Sequence, residues 1–300
     1  MTKIVDVVMV HYANLEDTDA CITSLLKSEY PIREIIIVDN GLDDNGAYFT
    51  KKPIKYIKTK ENLGFAGGCN LGIKYSLDNK PDLILLANND MVFEKSFLRH
   101  LVSGLVSCTA VISTGTLYYY DNPDVVWGAG GWIDWSRGLG RFYHNNSKDS
   151  VRMKDMMPIT FASGCMMLVK VELFGAIGLF DESYFMYCED LDFCIRAIRG
   201  GFSMLYVKKA IAWHKIGTKR VGENDTFFYY FLRNSILIIK KYAKIQQKVL
   251  FYFYAPFYYL SKLFMNFSLA NLVAFWHGIR DGFMGTSGLR GEKYIERSKR

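Results

Sequence analysis

Hydrophobic positions in the first ninety residues come as short unbroken runs. Val5 to Val10 is apolar and largely β-branched, EIIIVDN (34–40) runs into Asp39, and DLILLAN (82–88) ends on Asn88. KYIK (55–58) reads as a shorter strand among them. Between these runs the period changes. After Asn14, apolar positions at Leu15, Ala20, Ile22, Leu25 and Leu26 predict a capped helix, and GFAGGCNLGIKYSL (64–77) predicts a second helix emerging from a glycine loop. Unbroken apolar strands alternating with helices imply an α/β protein, Rossmann-like, with a mainly parallel central sheet flanked by helices. Such sheets bind ligands beyond the carboxyl ends of their strands. Three of those ends carry polar residues here: His11 and Asn14; Asp39 and Asn40; Asn88, Asn89 and Asp90.

Residues 110–160 suggest irregular strands and a loop, with Trp127, Trp132 and Trp135 placed either to stack on a sugar face or to pack locally. From 161 onward FASGCMMLVK predicts a strand and VELFGAIG a helix. FSMLYV and AIAWH then predict two strands, and FFYYFLRNSILIIKKY a long helix.

Composition narrows the class. Of 300 residues half are hydrophobic, 22% are charged and 15% are aromatic, which excludes a disordered chain and allows a large core. Six dispersed cysteines without a C-x-x-C pair predict buried thiols of a reducing compartment. MTKIVDVVMVHY is too short an apolar run for a signal peptide and is broken by Asp6, so a cytoplasmic protein is expected.

The net charge of +7 is carried by the C-terminal end, where residues 240–300 hold 11 Lys and Arg against 3 Asp and Glu. That region, taken as a unit over 241–300 after a first domain of 1–240, contains VLFYFYAPFYYL (249–260) and LFMNFSLANLVAFW (263–276), with a kink expected at Pro256. Lys262, Asn266 and Asn271 interrupt both, leaving less than the ~20 apolar residues a spanning helix requires. Flanking bases (Lys240, Lys241, Lys244 and Lys248; then Arg290, Lys293, Arg297, Lys299 and Arg300) suggest elements lying on an anionic membrane surface. A helical subdomain packed on the main body is the alternative. Bases interleaved with Phe, Tyr and Trp do not suggest a nucleic-acid partner.

LLANND places oxygen donors suited to Mg²⁺ or Mn²⁺ at the rim of the cleft, although the same triplet also makes a turn ahead of EKSFLRHL. ENLGFAGGCN (61–70) lets backbone approach a ligand, but it matches neither G-x-G-x-x-G nor the P-loop, so dinucleotide and ATP binding lose their main support. FMYCEDLDFCIRAIRGGF (185–202) sets Glu189, Asp190 and Asp192 among apolar side chains. A helix from Glu189 would turn Leu191, Ile195 and Ile198 inward and end on Arg196 and Arg199, an order the macrodipole favours, and that accounts for Asp192. Glu189 and Asp190 are close enough to perturb one another, as a general base requires.

In order, VHYANLEDTDACITSLL, IIIVDN, ENLGFAGGCNLGI, LLANND, ASGCMMLVKVELFGAIGLFDESYFMYCEDLDFCIRAIRGGF and the WHK after AIA resemble the family 2 glycosyltransferases, in their rhamnosyltransferase-like branch, over residues 4 to about 240. The resemblance implies a GT-A fold, here followed by a C-terminal helical, membrane-associating extension. It also implies a nucleotide-sugar donor, Mg²⁺ or Mn²⁺, and inversion by direct displacement. Asp39 resembles the residue that bonds the donor's base, with His11 and Asn14 against the nucleoside. Asn62, Gly64 and Asn70 resemble the loop closing over base and ribose.

Asn88, Asn89 and Asp90 stand where the family has D-x-D, which leaves Asp90 as the implied metal ligand with His214 as the second and weakens the expected hold on a metal. Asn88 is then directed to ribose. Asp190 stands at the catalytic-base position, with Glu189 as second choice. Gly164, Cys165 and Trp132 are placed near the acceptor, and Arg233 with Asn234 near diphosphate or acceptor. The implied reaction moves a sugar from dTDP-rhamnose, or else a UDP-sugar, to a hydroxyl of a glycan or lipid-linked acceptor in surface polysaccharide synthesis. A catalytically silent nucleotide-sugar-binding partner is the competing class, and homo-oligomerisation is left open.

Overall fold

The computed structural model describes residues 2–41, 45–148, 153–216 and 225–289. Within them the chain starts as β1 (Val5–His11), α1 (Leu15–Leu26), β2 (Glu34–Asp39), α2 (Gly46–Phe49), β3 (Lys55–Lys58), α3 (Gly64–Asp78) and β4 (Leu83–Asn88). It continues as β5 (Met91–Phe93), α4 (Phe97–Val106), β6 (Ile112–Tyr119), β7 (Val126–Ala129), β8 (Gly131–Asp134), β9 (Leu139–Phe142) and β10 (Met156–Ile159). The rest is β11 (Met166–Lys170), α5 (Val171–Ile177), α6 (Glu189–Arg199), β12 (Met204–His214), α7 (Asp225–Tyr242), α8 (Ile245–Met265) and α9 (Leu269–Met284).

The main sheet has the order β10-β12-β6-β11-β4-β1-β2-β3. The four strands read from the first ninety residues are parallel, β1 between β2 and β4. All seven residues of β1 are buried, as expected of a strand covered on both faces. Chain order reverses beside β1, which opens the crevice at the carboxyl ends of β1 and β4. β11 then enters antiparallel between β4 and β6, and β6 pairs in parallel with β12.

Several expectations are corrected. FSMLYV and AIAWH form one strand, β12, whose register against β6 shifts between Tyr206 and Ile211; a bulge absorbs the break in apolar pattern at Lys208 and Lys209. After Asn89 and Asp90 the chain makes β5 before α4, where only a turn and a helix were expected. Gly64, Gly67 and Gly68 are the first residues of α3 itself rather than a loop ahead of it. Their neighbour Gly72 shows why the helix is glycine-rich: a Cβ there would lie 2.5 Å from Val8, so α3 presses its backbone onto β1. Ile198 is exposed, and α6 instead buries Leu191, Phe193, Cys194, Ile195 and Ala197. Cys108 is exposed while the other five thiols are buried.

The C-terminal helices are packed. α8 buries Phe251, Ala255, Tyr259 and Leu263, one residue per turn, in a core shared with Phe228, Tyr229 and Ile236 of α7 and Phe275 of α9. Pro256 sits inside α8. No helix among the described residues is long and apolar enough to cross a membrane. Arg290, Lys293, Arg297, Lys299 and Arg300 lie outside the described residues, as do residues 42–44 of the loop after β2.

Candidate active site

Parallel register places the nucleoside-side candidates together. His11 pairs with Asp39 across β1 and β2, and Val10 with Asn88 across β1 and β4. Asp39 is fully buried, its carboxylate accepting from the Gly41 amide at 2.8 Å and the Tyr56 hydroxyl at 2.7 Å, with the Lys58 ammonium 3.4 Å away. Tyr56 and Lys58 lie two apart on β3 and so share a face. His11 is buried, bonded through Nδ1 to Thr18 at 2.8 Å and through Nε2 to Asn45 at 3.2 Å; burial lowers its pKa despite the opposing field of Asp39. Asn89 donates to Ala13 O and Thr18 Oγ1, so it fastens the end of β4 to α1. Asn14 caps α1 in a left-handed conformation and accepts from the Asp17 amide.

The start of α3 closes this side. Asn62 accepts from the Gly64 amide at 2.9 Å, and the Gly64 carbonyl accepts from Asn40 at 2.7 Å. Gly64 has φ +71, and a Cβ on it would lie 2.3 Å from the Phe185 carbonyl, so no larger residue fits. Asn40 was noted only as a strand-end residue, yet its Oδ1 is buried without a hydrogen-bond partner among the described residues, an acceptor for an arriving group. Asn70 faces away from the cleft: its amide bonds Phe180 O and Glu182 and accepts from Phe180 N, clamping α3 to the segment before α6.

At the far side of the crevice, β5 explains the Asp90–His214 encounter. His214 ends β12 in register with Met91 of β5, which brings Asp90 Oδ1 within 3.0 Å of His214 Nε2. Both atoms are buried and, among the described residues, neither makes a hydrogen bond of proper angle. Two facing, unbonded ligand atoms at that separation fit neighbouring donors to one small cation. Burial raises the Asp90 pKa, but the charge and proximity of His214 outweigh it, and the carboxyl is held below its usual range. Trp127 stands edge-on to the His214 ring at 4.7 Å, so it braces that imidazole. No cluster of three or more acidic, His or Cys side chains suited to a metal occurs among the described residues, so remaining ligands would come from the donor. The residues present therefore fit a divalent cation held by Asp90 and His214.

Glu189 and Asp190 open α6. Asp190 Oδ1 accepts from the Leu191 amide at 2.7 Å and Oδ2 from the Gly164 amide at 3.2 Å. Burial raises its pKa and those two bonds partly offset the rise. Glu189 is 5% exposed, and its Oε2 has no hydrogen-bond partner among the described residues. Its pKa is pushed well up by burial first and by the Asp190 charge second. Of the two, Asp190, with its two amide donors, is the one whose ionised form is better supported. Asp192 is a structural ion, fully buried against Arg196, Lys241 and the Tyr242 hydroxyl.

The two acidic centres share one edge of the sheet. The Asn88 backbone N–H donates to Cys165 O at 3.2 Å, and Cys165 adjoins Gly164, whose amide holds Asp190. Burial, reinforced by the fields of both Asp90 and Asp190, pushes the Cys165 thiol up to about 12, which makes it an inert wall between them. Trp132 packs on Tyr143 and under Arg141 on the β8–β9 hairpin. Arg233 is fully buried; its guanidinium donates to the carbonyls of Ser183, Tyr184 and Gly288 and to Asn234 Oδ1 and does not face the cleft.

A crevice at the carboxyl ends of parallel strands, with buried Asp39 on one side, the facing Asp90–His214 pair on the other and Asp190 at its rim, is the layout of a GT-A fold. A model of Glycosyl transferase family 2 matches residues 6–178, and the chain belongs to that family. It is 25% identical over 260 residues to the low-salt glycan biosynthesis hexosyltransferase Agl10 of Haloferax volcanii, covering 81% of this chain and 80% of that protein. It is 26% identical to the dTDP-rhamnosyl transferase RfbF of Shigella flexneri (80% and 81%) and 27% identical to an N-acetylglucosaminyl-diphospho-decaprenol L-rhamnosyltransferase of Mycobacterium tuberculosis (71% and 76%). Among solved structures, GalNAc-T7 with UDP, GalNAc and Mn²⁺ superposes with a TM-score of 0.65 at 14% identity, over 84% of this chain and 50% of that one. S. aureus TarS 1-349 gives 0.57 at 14%, over 94% and 81%. These two establish the fold. The protein is thus a family 2 glycosyltransferase whose relatives are rhamnosyl- and hexosyltransferases.

Proposed function

We propose that this enzyme transfers a sugar, with inversion, from a nucleotide-diphosphate donor to a hydroxyl of a glycan or lipid-linked acceptor, with Asp190 as general base. The supporting observation is the common rim that carries Asp190 on one side and Asp90 with His214 on the other. dTDP-rhamnose is the first donor to try, since one relative is named for it, and a UDP-sugar the second. The acceptor is taken as lipid-linked because another relative is named for an N-acetylglucosaminyl-diphospho-decaprenol substrate.

Asp190 takes the proton of the acceptor hydroxyl as that oxygen bonds to the anomeric carbon and the bond from carbon to the diphosphate oxygen breaks. The bonds from the Gly164 and Leu191 amides hold its carboxylate on one line of approach and favour its ionised form. A Mg²⁺ or Mn²⁺ held by Asp90 and His214 would offset charge on the departing diphosphate. Asp39 and the unpartnered Asn40 Oδ1 are the groups assigned to the base, and Gly64 admits the close approach of the Phe185 carbonyl that closes this side.

The helical region supplies the surface. α8 and α9 expose Phe253, Phe257, Phe264 and Trp276, 59–79% open, among Lys244, Lys248 and Lys262. Exposed aromatic side chains on helices that also carry bases suit the interface of an anionic bilayer, where a lipid-linked acceptor resides. The test of the whole reading is Asp190→Asn. Turnover should fall by roughly 10² to 10⁴, the range general-base catalysis supplies, while donor affinity by calorimetry stays unchanged. Wild-type turnover in that variant would remove Asp190 from its role.

A further inference from the structure

Phe185, Tyr187 and Cys188 have φ of 63, 64 and 69, three non-glycine residues in the left-handed region within four positions, directly ahead of the helix that carries Asp190. Such a course is costly for side chains with a Cβ and persists only where its surroundings enforce it. Its carbonyls also point inward, and buried carbonyls require donors. Both requirements are met from α7. The Asn234 amide donates to Tyr184 O at 3.0 Å, Met186 O at 2.8 Å and Tyr187 O at 2.7 Å. Arg233 donates to Tyr184 O at 2.9 Å, Ser183 O at 3.3 Å and Gly288 O at 2.7 Å, and to Asn234 Oδ1 at 2.8 Å, which fixes the orientation of that amide. Tyr230 stacks on Phe185 at 5.2 Å, and the Arg233 guanidinium lies over Tyr230 at 4.8 Å. Arg233 and Asn234 are both fully buried.

We propose that Arg233 and Asn234 are positioning residues for the reaction: they hold the left-handed 184–188 turn, and the turn sets where the first residues of α6 present Asp190. The clamp rests on the role assigned to Asp190, and its failure is separable from that role's failure. Cys188 is the residue from which α6 starts, its carbonyl accepting from the Asp192 amide at 2.8 Å, so any relaxation at 185–188 rotates the first turn of the helix. The Gly164 amide, fixed beside β11, would then lose Asp190.

The experiment is a set of three variants of the full chain: Asn234→Asp, which keeps the size and removes the donors; Asn234→Gln, which keeps the donors and misplaces them; and Cys188→Gly combined with Asn234→Asp, which makes a left-handed residue inexpensive. Kinetics are measured with a donor that the wild type turns over, donor affinity by calorimetry, and hydrogen exchange of the peptide spanning 183–191 by mass spectrometry. The expected result is a loss of at least tenfold in kcat for Asn234→Asp and a smaller loss for Asn234→Gln. KM and Kd for donor should stay within twofold, and exchange in 183–191 should be faster with that of α1 and β4 unchanged. Cys188→Gly should restore part of the kcat. The acid limb of the kcat profile should move to higher pH as Asp190 loses the Gly164 amide. That group is also faced by Glu189, Asp192 and Cys194 on its own helix, by Cys188 ahead of it, by Cys69 of α3 and by Cys165 beside β11; the two single variants leave all of these in place, and the pH profile is read on those two.

Weakened donor binding in step with kcat would overturn the proposal by placing these side chains at the donor, and so would unchanged exchange in 183–191 or a kcat that merely follows the folded fraction. If Asn234→Asp does not fold, Asn234→Gln decides by the same readouts. Should no donor be turned over by the wild type, the proposed function has failed, and the exchange data alone still judge whether α7 holds the turn.

Discussion

Glu189→Gln separates the two carboxylates that open α6. Glu189 is the one whose neutral form burial favours: it is 5% exposed, its Oε2 has no partner among the described residues, Asp190 is adjacent, and its pKa is pushed well above the usual carboxylate value. A carboxyl with a raised pKa in the folded state binds its proton more tightly there than in the unfolded chain. Its favourable contribution is therefore complete below the unfolded pKa and is lost as pH rises through the folded one. Gln is nearly isosteric with the neutral acid and has no proton to lose, so it should be equal to Glu near pH 4 and more stable above it. Each pKa unit removed is worth about 1.4 kcal/mol. For 300 residues the unfolding entropy is roughly 0.6 kcal/mol/K, so each unit raises the melting temperature by about 2 °C. Melting curves of both proteins at pH 4 to 8 should diverge with rising pH by at least that much, and kcat at neutral pH should stay within about threefold because the charge on Asp190 is untouched. A variant less stable at pH 8 than at pH 4 relative to wild type, or one as inactive as Asp190→Asn, would refute the assignment and make Glu189 the ionised base.

Two further outcomes are expected. His214→Ala should raise the Mg²⁺ or Mn²⁺ concentration for half-maximal activity by at least tenfold, and Asp90→Asn should do the same, whereas equal metal dependence in the wild type and both variants would dismiss the pair as ligands. Phe253→Glu with Phe257→Glu should abolish flotation with anionic liposomes while leaving the melting temperature within about 2 °C, since both side chains are exposed; undiminished flotation would discard the membrane surface.

That the strand-end candidates gather at one crevice was legible because strands buried on both faces announce themselves as unbroken apolar runs, and their polar ends fall together once they are parallel. Asp39, Asn88 and Asp90 follow directly from that pattern. Tyr56 was missed although KYIK alternates, putting Tyr56 and Lys58 on the face that meets Asp39. β5 was missed because three residues carry no period, and without it the sequence offers no reason for His214 to meet Asp90, 124 positions away. The role of Arg233 was misread for a different reason. A cationic side chain near a phosphate chemistry suggests a phosphate contact, but the carbonyls it serves arise only from left-handed residues that nothing in FMYC encodes, as none is glycine.

That same turn argues against treating residues after 240 as an appendage. Phe185 belongs to the core formed by Tyr230, Ile239, Phe251, Tyr259 and Phe275, so the chain entering α6 is buried among the helices that carry the exposed aromatic face. Gly288, past α9, accepts from Arg233 and donates to Ser183 O at 2.5 Å, closing a second link between those helices and the turn. A truncation at 245 would open this core as well as remove the surface, and its loss of activity would say nothing about lipid. Substitution of outward-facing residues on α8 and α9 is therefore the informative perturbation: it leaves the buried stripe of Phe251, Ala255, Tyr259 and Leu263 intact, and with it the position of Asp190.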